Sequence, residues 1–148
     1  MAQLRQSTSH GYAFPAAIGA RMGASSGEVW VLADDRSLLF STHSLETAVA
    51  ESISIKVALL NRGTGTREML TRSEDSAGFA SHCSGLGLSY IRCESEGDVE
   101  DAMRAARTVD DRPTVIDLIL ACDIPCSPLH ACQNVDSSKS IPRVRILR

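Results

Sequence analysis

The chain has 148 residues, 43% of them hydrophobic and 22% charged, with a formal net charge of -3 at pH 7, the make-up of one ordinary globular domain. That slightly acidic balance gives no electrostatic footprint for nucleic acid or an anionic membrane. No apolar run approaches the roughly 20 residues of a spanning helix, and the start MAQLRQSTSHGY lacks the apolar stretch of a secretory signal; a cytoplasmic protein with reduced thiols is the expectation.

After a lead-in of residues 1–10, FPAAIGARM (Phe14–Met22) reads as a helix, with Pro15 suited to its first turn. VWVLA (Val29–Ala33) is short and apolar and reads as a buried strand. STHSLETAVAES supplies Ser and Thr for a cap and sets Leu45, Ala48 and Val49 at helical spacing. IKVALL (Ile55–Leu60) reads as the next strand, and NRGTGTREMLTRSED (Asn61–Asp75) as the longest connection. SAGFASHCSGLG carries Phe79, Cys83 and Leu86 on one helical side and stops at glycines. LSYIRC (Leu88–Cys93) is the third strand; EGDVEDAMRAARTV follows as a helix with acids first and arginines last, matching the dipole. TVIDLIL (Thr114–Leu120) closes the pattern.

None of the four strand runs alternates strictly, as expected of parallel strands covered on both faces. The order αβαβαβαβ therefore predicts an α/β fold, an open, mostly parallel sheet with helices on both faces. Trp30 and Phe40 are expected in the core, and His10, His43 and His82 facing solvent. Ser41 and Ser44 lie among caps without a His–Asp arrangement beside them, and GTGTRE (Gly63–Glu68) lacks the Gly-Lys-Ser/Thr ending of a phosphate loop. Residues 124–148 read as a Cys- and Pro-containing basic tail in which RVRIL could add an edge strand. Cys122, Cys126, His130 and Cys132 are spaced C-x3-C-x3-H-x-C, which is not a common zinc knuckle, so structural or accidental thiols are the first reading, with a metal site and redox or disulfide use as alternatives.

In such sheets ligands bind at the C-terminal ends of the strands, where this chain has Asp-Asp-Arg after the first strand and Asn-Arg-Gly after the second. GYAFPAAIGARMG (Gly11–Gly23) resembles the segment that opens the cofactor-binding half of thiamine diphosphate enzymes. The nearest likeness is to the acetohydroxyacid synthase, benzoylformate decarboxylase and trihydroxycyclohexanedione hydrolase group. DDRSLLF (Asp34–Phe40) stands where that family has Gly-Asp-Gly with a small residue and apolar ones, and LLNRGTG (Leu59–Gly65) where it has Asn-Asn. GFASHCSGLGLSYIRCESEGDVEDAMRAARTVDDRPTVIDLIL is similar to its closing helix–strand–helix–strand segment. The resemblance covers roughly Gly11 to Asp123. It implies a thiamine diphosphate-binding domain over residues 11–123, a Mg²⁺ ion, and decarboxylase or synthase chemistry (lyase or transferase) on 2-oxo acid-like substrates.

A diphosphate is anchored through a hard divalent cation that takes oxygen ligands: a strand-end carboxylate, a neighbouring amide and a backbone carbonyl. Glycines beside the carboxylate let the phosphates approach the backbone. Carried over, the resemblance implies Asp34, Asp35, Arg36, Ser37, Asn61 and Gly63 around the cofactor, with Asp35, Asn61 and the Thr64 carbonyl on the metal. Asp35 takes the metal aspartate's place, Asn61 matches the first Asn, and Arg62 stands where the second, ligating Asn belongs. A slipped register uses Asp34 with Asn61; both pairs span 27 positions. The two flanking glycines are replaced by Asp34 and Arg36, the latter able to pair with phosphate. The plainer reading of Asp34, Asp35, Arg36 and Arg62 is a solvated salt-bridge cluster.

The family's preceding strand, its bulky cofactor-bending residue and its activating glutamate are not expected within this sequence. The glutamate comes from a separate pyrimidine-binding domain, usually a neighbour's. The expectation is a domain or subunit in a homo- or hetero-oligomer, not catalytic as an isolated chain, with Ala16, Ala17, Ile18, Gly19 and Ala20 as a small-residue helix for close packing. The alternative is a non-catalytic remnant that serves as an interaction or structural module.

Overall fold

A computed structural model describes residues 11–61 and 77–120. In chain order they form α1 (Ala13–Gly23), β1 (Trp30–Asp34), α2 (Asp35–Phe40), α3 (Thr42–Ala50), β2 (Lys56–Asn61), α4 (Ala77–Gly85), β3 (Ser89–Cys93), α5 (Asp98–Arg107) and β4 (Thr114–Ile119). The four strands make one sheet in the order β1-β2-β4-β3, every pairing parallel. Each expected strand is present, displaced by a residue or so at its ends. The connection at 62–76, the tail, and with them Cys122, Cys126, His130 and Cys132 lie outside the described residues.

The apolar runs become central strands because both of their faces are covered. Val31, Val57 and Val115 stand in register across three strands and are buried with Ala33 and Leu59. Phe14 and Ala17 of α1, Leu45 of α3, and Phe79 and Cys83 of α4 close over them. On the other face α5 lays Ala102 and Ala106 over Ile116 and Cys93, with Trp30 packed at the margin. Residues such as Phe14, Leu45 and Leu59 are wholly buried; each contributes roughly 1.5–3 kcal/mol by leaving water. The spacing of Leu45 and Ala48, and of Phe79 and Cys83, places one apolar stripe of each helix on the sheet, as the sequence implied. Asp98, Glu100 and Asp101 occupy the first turn of α5, and Arg104 and Arg107 its last.

Two expectations need correction, and one element was not among those expected. The chain turns at once after β1 into α2, a six-residue helix that the apolar pattern does not reveal. Phe40, expected in the core, ends that helix and is 60% exposed; it stands two residues after buried Leu38, and residues so spaced do not share a helix face. His82, expected in solvent, is half-buried against the Phe79 ring at 6.5 Å between centroids, because it lies three residues along α4 from a core residue.

Candidate functional site

Parallel pairing brings the C-terminal ends of β1 and β2 to one edge. Asp34, the last residue of β1, lies opposite Leu60, so the next residues stand at the same level: Asp35, the first residue of α2, and Asn61, the last of β2. Strands pair about 4.8 Å apart, which keeps the backbones of the two residues close. Asn61 is itself held in the sheet opposite Ile119 of β4, and its carbonyl accepts the Leu120 N–H at 2.8 Å.

The turn from strand to helix fixes the acids in different ways. Asp34 keeps extended backbone (φ -94°, ψ 170°) and its Oδ1 accepts the Ser37 N–H at 2.8 Å. This is the capping role for which Asp is favoured, since a first-turn amide has no partner within the helix. Asp35 opens α2 and is only 3% exposed; its Oδ1 accepts the Arg36 N–H at 2.9 Å. A carboxylate that buried is no member of a solvated charge cluster, so that reading fails for Asp35. Arg36 is exposed and Ser37 half-buried. Arg62, Gly63 and Thr64 lie outside the described residues.

Around this edge the start of α1 meets the end of α2: a Cβ on Gly11 would come 3.9 Å from Ser41 Oγ. Tyr12 and Phe40 flank that meeting point in sequence and stand 50% and 60% exposed. Ser41 is buried, and its Oγ has no hydrogen-bond partner among the described residues. Among the described residues no three His, Cys, Asp or Glu side chains converge on a metal position. The oxygen donors on offer are one carboxylate and one amide, which suit a hard cation with further ligands from the backbone, ligand or water. Asp35 and Asn61 thus carry the donor types that fit a Mg²⁺ anchor.

Two shallow cavities, of about 210 and 110 Å³, lie at the opposite end of the sheet. Their walls include Arg21, Ser54, Lys56 and Arg107, but these cations already have partners. Lys56 donates to Ser54 Oγ at 2.8 Å and to the Val109 carbonyl; burial is the leading reason its ammonium is held below the usual lysine range. Arg107 reaches Glu28 at 3.3 Å. That end therefore ties the turns before β2 and β4 together rather than offering chemistry.

Two features are less plain in the sequence: the Asp34 cap, and a bond between β3 and β4 in which buried Asp117 accepts the Tyr90 O–H at 2.6 Å. The signals were present: an Asp three residues before a backbone amide at a strand end, and a lone acid inside TVIDLIL.

Residues 4–118 match the family described as thiamine pyrophosphate enzyme, C-terminal TPP binding domain. The chain is 35% identical over 137 residues to an acetolactate synthase of Mycobacterium avium, covering 82% of this chain and 22% of that protein. It is 33% identical over 143 residues to the acetolactate synthase large subunit of Corynebacterium glutamicum, covering 86% of this chain and 23% of that protein. Among solved structures, the thiamine diphosphate-dependent 4-hydroxybenzoylformate decarboxylase of Rhodococcus jostii RHA1 is similar with a TM-score of 0.60 and 25% identity, over 74% of this chain and 23% of that one. The chain spans less than a quarter of the length of these relatives. On this match and the parallel sheet that carries it, the chain belongs to the C-terminal TPP-binding domain family of thiamine pyrophosphate enzymes.

Proposed function

We propose that this chain is the thiamine diphosphate- and Mg²⁺-binding domain of a decarboxylase- or synthase-type enzyme acting on 2-oxo acid-like substrates, with catalysis completed by a partner chain. The observation that supports it best is the placement of buried Asp35 and of Asn61 at the ends of adjacent parallel strands. In this reading Asp35 supplies the anionic metal ligand, Asn61 and the Thr64 carbonyl the neutral ones, and Arg36, Ser37 and Gly63 lie along the diphosphate. Bound thiamine diphosphate supplies an electron sink for chemistry beside a carbonyl; the domain's own share is to hold and orient it. The names of the relatives, acetolactate synthase and a benzoylformate-type decarboxylase, support a 2-oxo acid as the substrate class.

Thermal unfolding tests this proposal. A ligand that binds only the folded chain at about a hundred times its Kd stabilises it by about 2.7 kcal/mol. The melting temperature should therefore rise with thiamine diphosphate and Mg²⁺ together, and with neither alone. An equal rise without Mg²⁺ would contradict the metal-bridged arrangement.

One observation favours a second reading, a remnant that keeps the fold as an interaction or structural module. Asp34 and Arg36 stand in the two places where glycines would admit a diphosphate. In that case no combination of cofactor and metal moves the melting temperature.

A further inference from the structure

Helix starts in this fold are treated in two ways. α2 begins under the Asp34 cap, and α5 carries Asp98, Glu100 and Asp101 in its first turn. α1 and α3 have neither an acid in the first turn nor a side-chain cap. In α1 the amides of Ala13 and Phe14 precede the first intrahelical bond, from the Ala16 N–H to the Tyr12 carbonyl, and no acceptor for them lies among the described residues.

Ser41 stands at both of these starts. It is the N-cap residue of α3, where its carbonyl accepts the Leu45 N–H at 3.0 Å. A serine there ordinarily turns its hydroxyl onto a first-turn amide; Ser41 does not. The residue is only 2% exposed, and its Oγ lies 3.9 Å from the Cβ position of Gly11, directly before Tyr12, with no hydrogen-bond partner among the described residues. Buried hydroxyls are as a rule hydrogen-bonded, so a bare one turned from its own helix toward the start of another marks a place for an acceptor. The six residues of α2 put roughly 9 Å of helical rise between that place and Asp35.

We propose that Ser41 and the first turn of α1 form a site for the carboxylate of a small ligand, with the Ser41 O–H and the Ala13 and Phe14 amides donating to its oxygens. The two uncapped helix starts bring the positive ends of their dipoles beside it. No cation is among these donors, and a single negative charge is easier to desolvate than the two of a phosphate, which sets the class as a carboxylate. Half-buried Gly11 and Ala13 leave the approach open. The site does not depend on the cofactor reading.

The test follows the backbone amide signals of the full chain by NMR during titration with acetate at constant ionic strength. Acetamide, a neutral molecule of similar shape, and inorganic phosphate are the comparisons, and Ser41→Ala is the variant. The expected result is a saturable shift of the Ala13 and Phe14 signals with acetate, none with acetamide, weaker binding of phosphate, and an acetate affinity lowered about tenfold in Ser41→Ala. The melting temperature of Ser41→Ala without ligand separates this role from that of a helix cap: it should not fall, because the hydroxyl holds nothing in the fold. No saturable shift with acetate, or an equal one with acetamide, would overturn the site. Tighter binding of phosphate would overturn the carboxylate assignment. A lower melting temperature or an unaltered acetate affinity in Ser41→Ala would overturn the role of Ser41.

Discussion

Tyr90 on β3 pairs with Val115, and its side chain reaches two positions along β4 to Asp117, the phenol donating to a wholly buried carboxylate at 2.6 Å. Burial first, and then that bond and the charge of Asp117, push the Tyr90 phenol well above its usual value. Burial, with Asp117 again nearby, pushes the Cys83 thiol up to about 12 from 9.0. Both groups are thus held neutral by the fold. A pKa raised on folding stabilises the folded state fully below the unfolded value and loses that contribution as pH climbs through the folded one. The share of stability that these two groups carry, measured in urea, should accordingly be level from neutral pH to about 9 and decline between about 9 and 12. Tyr90→Phe leaves the buried carboxylate without this donor and should cost roughly 1.5–3 kcal/mol at neutral pH. An unchanged midpoint in that variant would mean the pair contributes nothing. The same burial makes Cys83 an inert thiol, expected to resist alkylation until the chain unfolds.

At the scale of elements, the turn from α4 into β3 depends on one backbone position. Gly87 has φ +76°, and a Cβ there would lie 3.2 Å from Val49 Cγ1 of α3. Gly87→Ala meets both obstacles and should destabilise by about 1–2 kcal/mol or more. Gly85→Ala, two residues earlier with nothing within 4 Å, should not; equal losses from the two would refute the distinction. The helices and strands themselves were legible because their periodicity states which face is buried, as Leu45 with Ala48 and Val57 with Leu59 illustrate. The helix α2 was not legible. Its start is set by the Asp34 cap, and its six residues are too few to show a period. The exposure of Phe40 follows from its place two residues after buried Leu38 on that helix. At the candidate site, the nearness of Asp35 to Asn61 could be read from the strand order and the family likeness. The burial of Asp35 and the bond that holds Asp34 depend on the turn geometry, which a string of residues does not carry.

For the whole molecule, the proposal of a partner chain places a demand on α1. Gly19 lies on that helix, is exposed, and has nothing within 4 Å of where its Cβ would be. Within the chain alone, Gly19→Ala should therefore stabilise by roughly 0.5–1 kcal/mol through helix propensity. If α1 packs closely on a second subunit, the same substitution should weaken association in sedimentation at micromolar concentration. Higher stability with unaltered sedimentation would place the interface elsewhere. The central claim is that this sheet edge holds thiamine diphosphate through a metal on Asp35. It is tested most directly by the heat of thiamine diphosphate binding to the natural chain and to Asp35→Ala, each with Mg²⁺ and with a chelator. The account predicts weak binding by the natural chain that needs Mg²⁺, and none by Asp35→Ala. Binding of equal strength in all four titrations would contradict it.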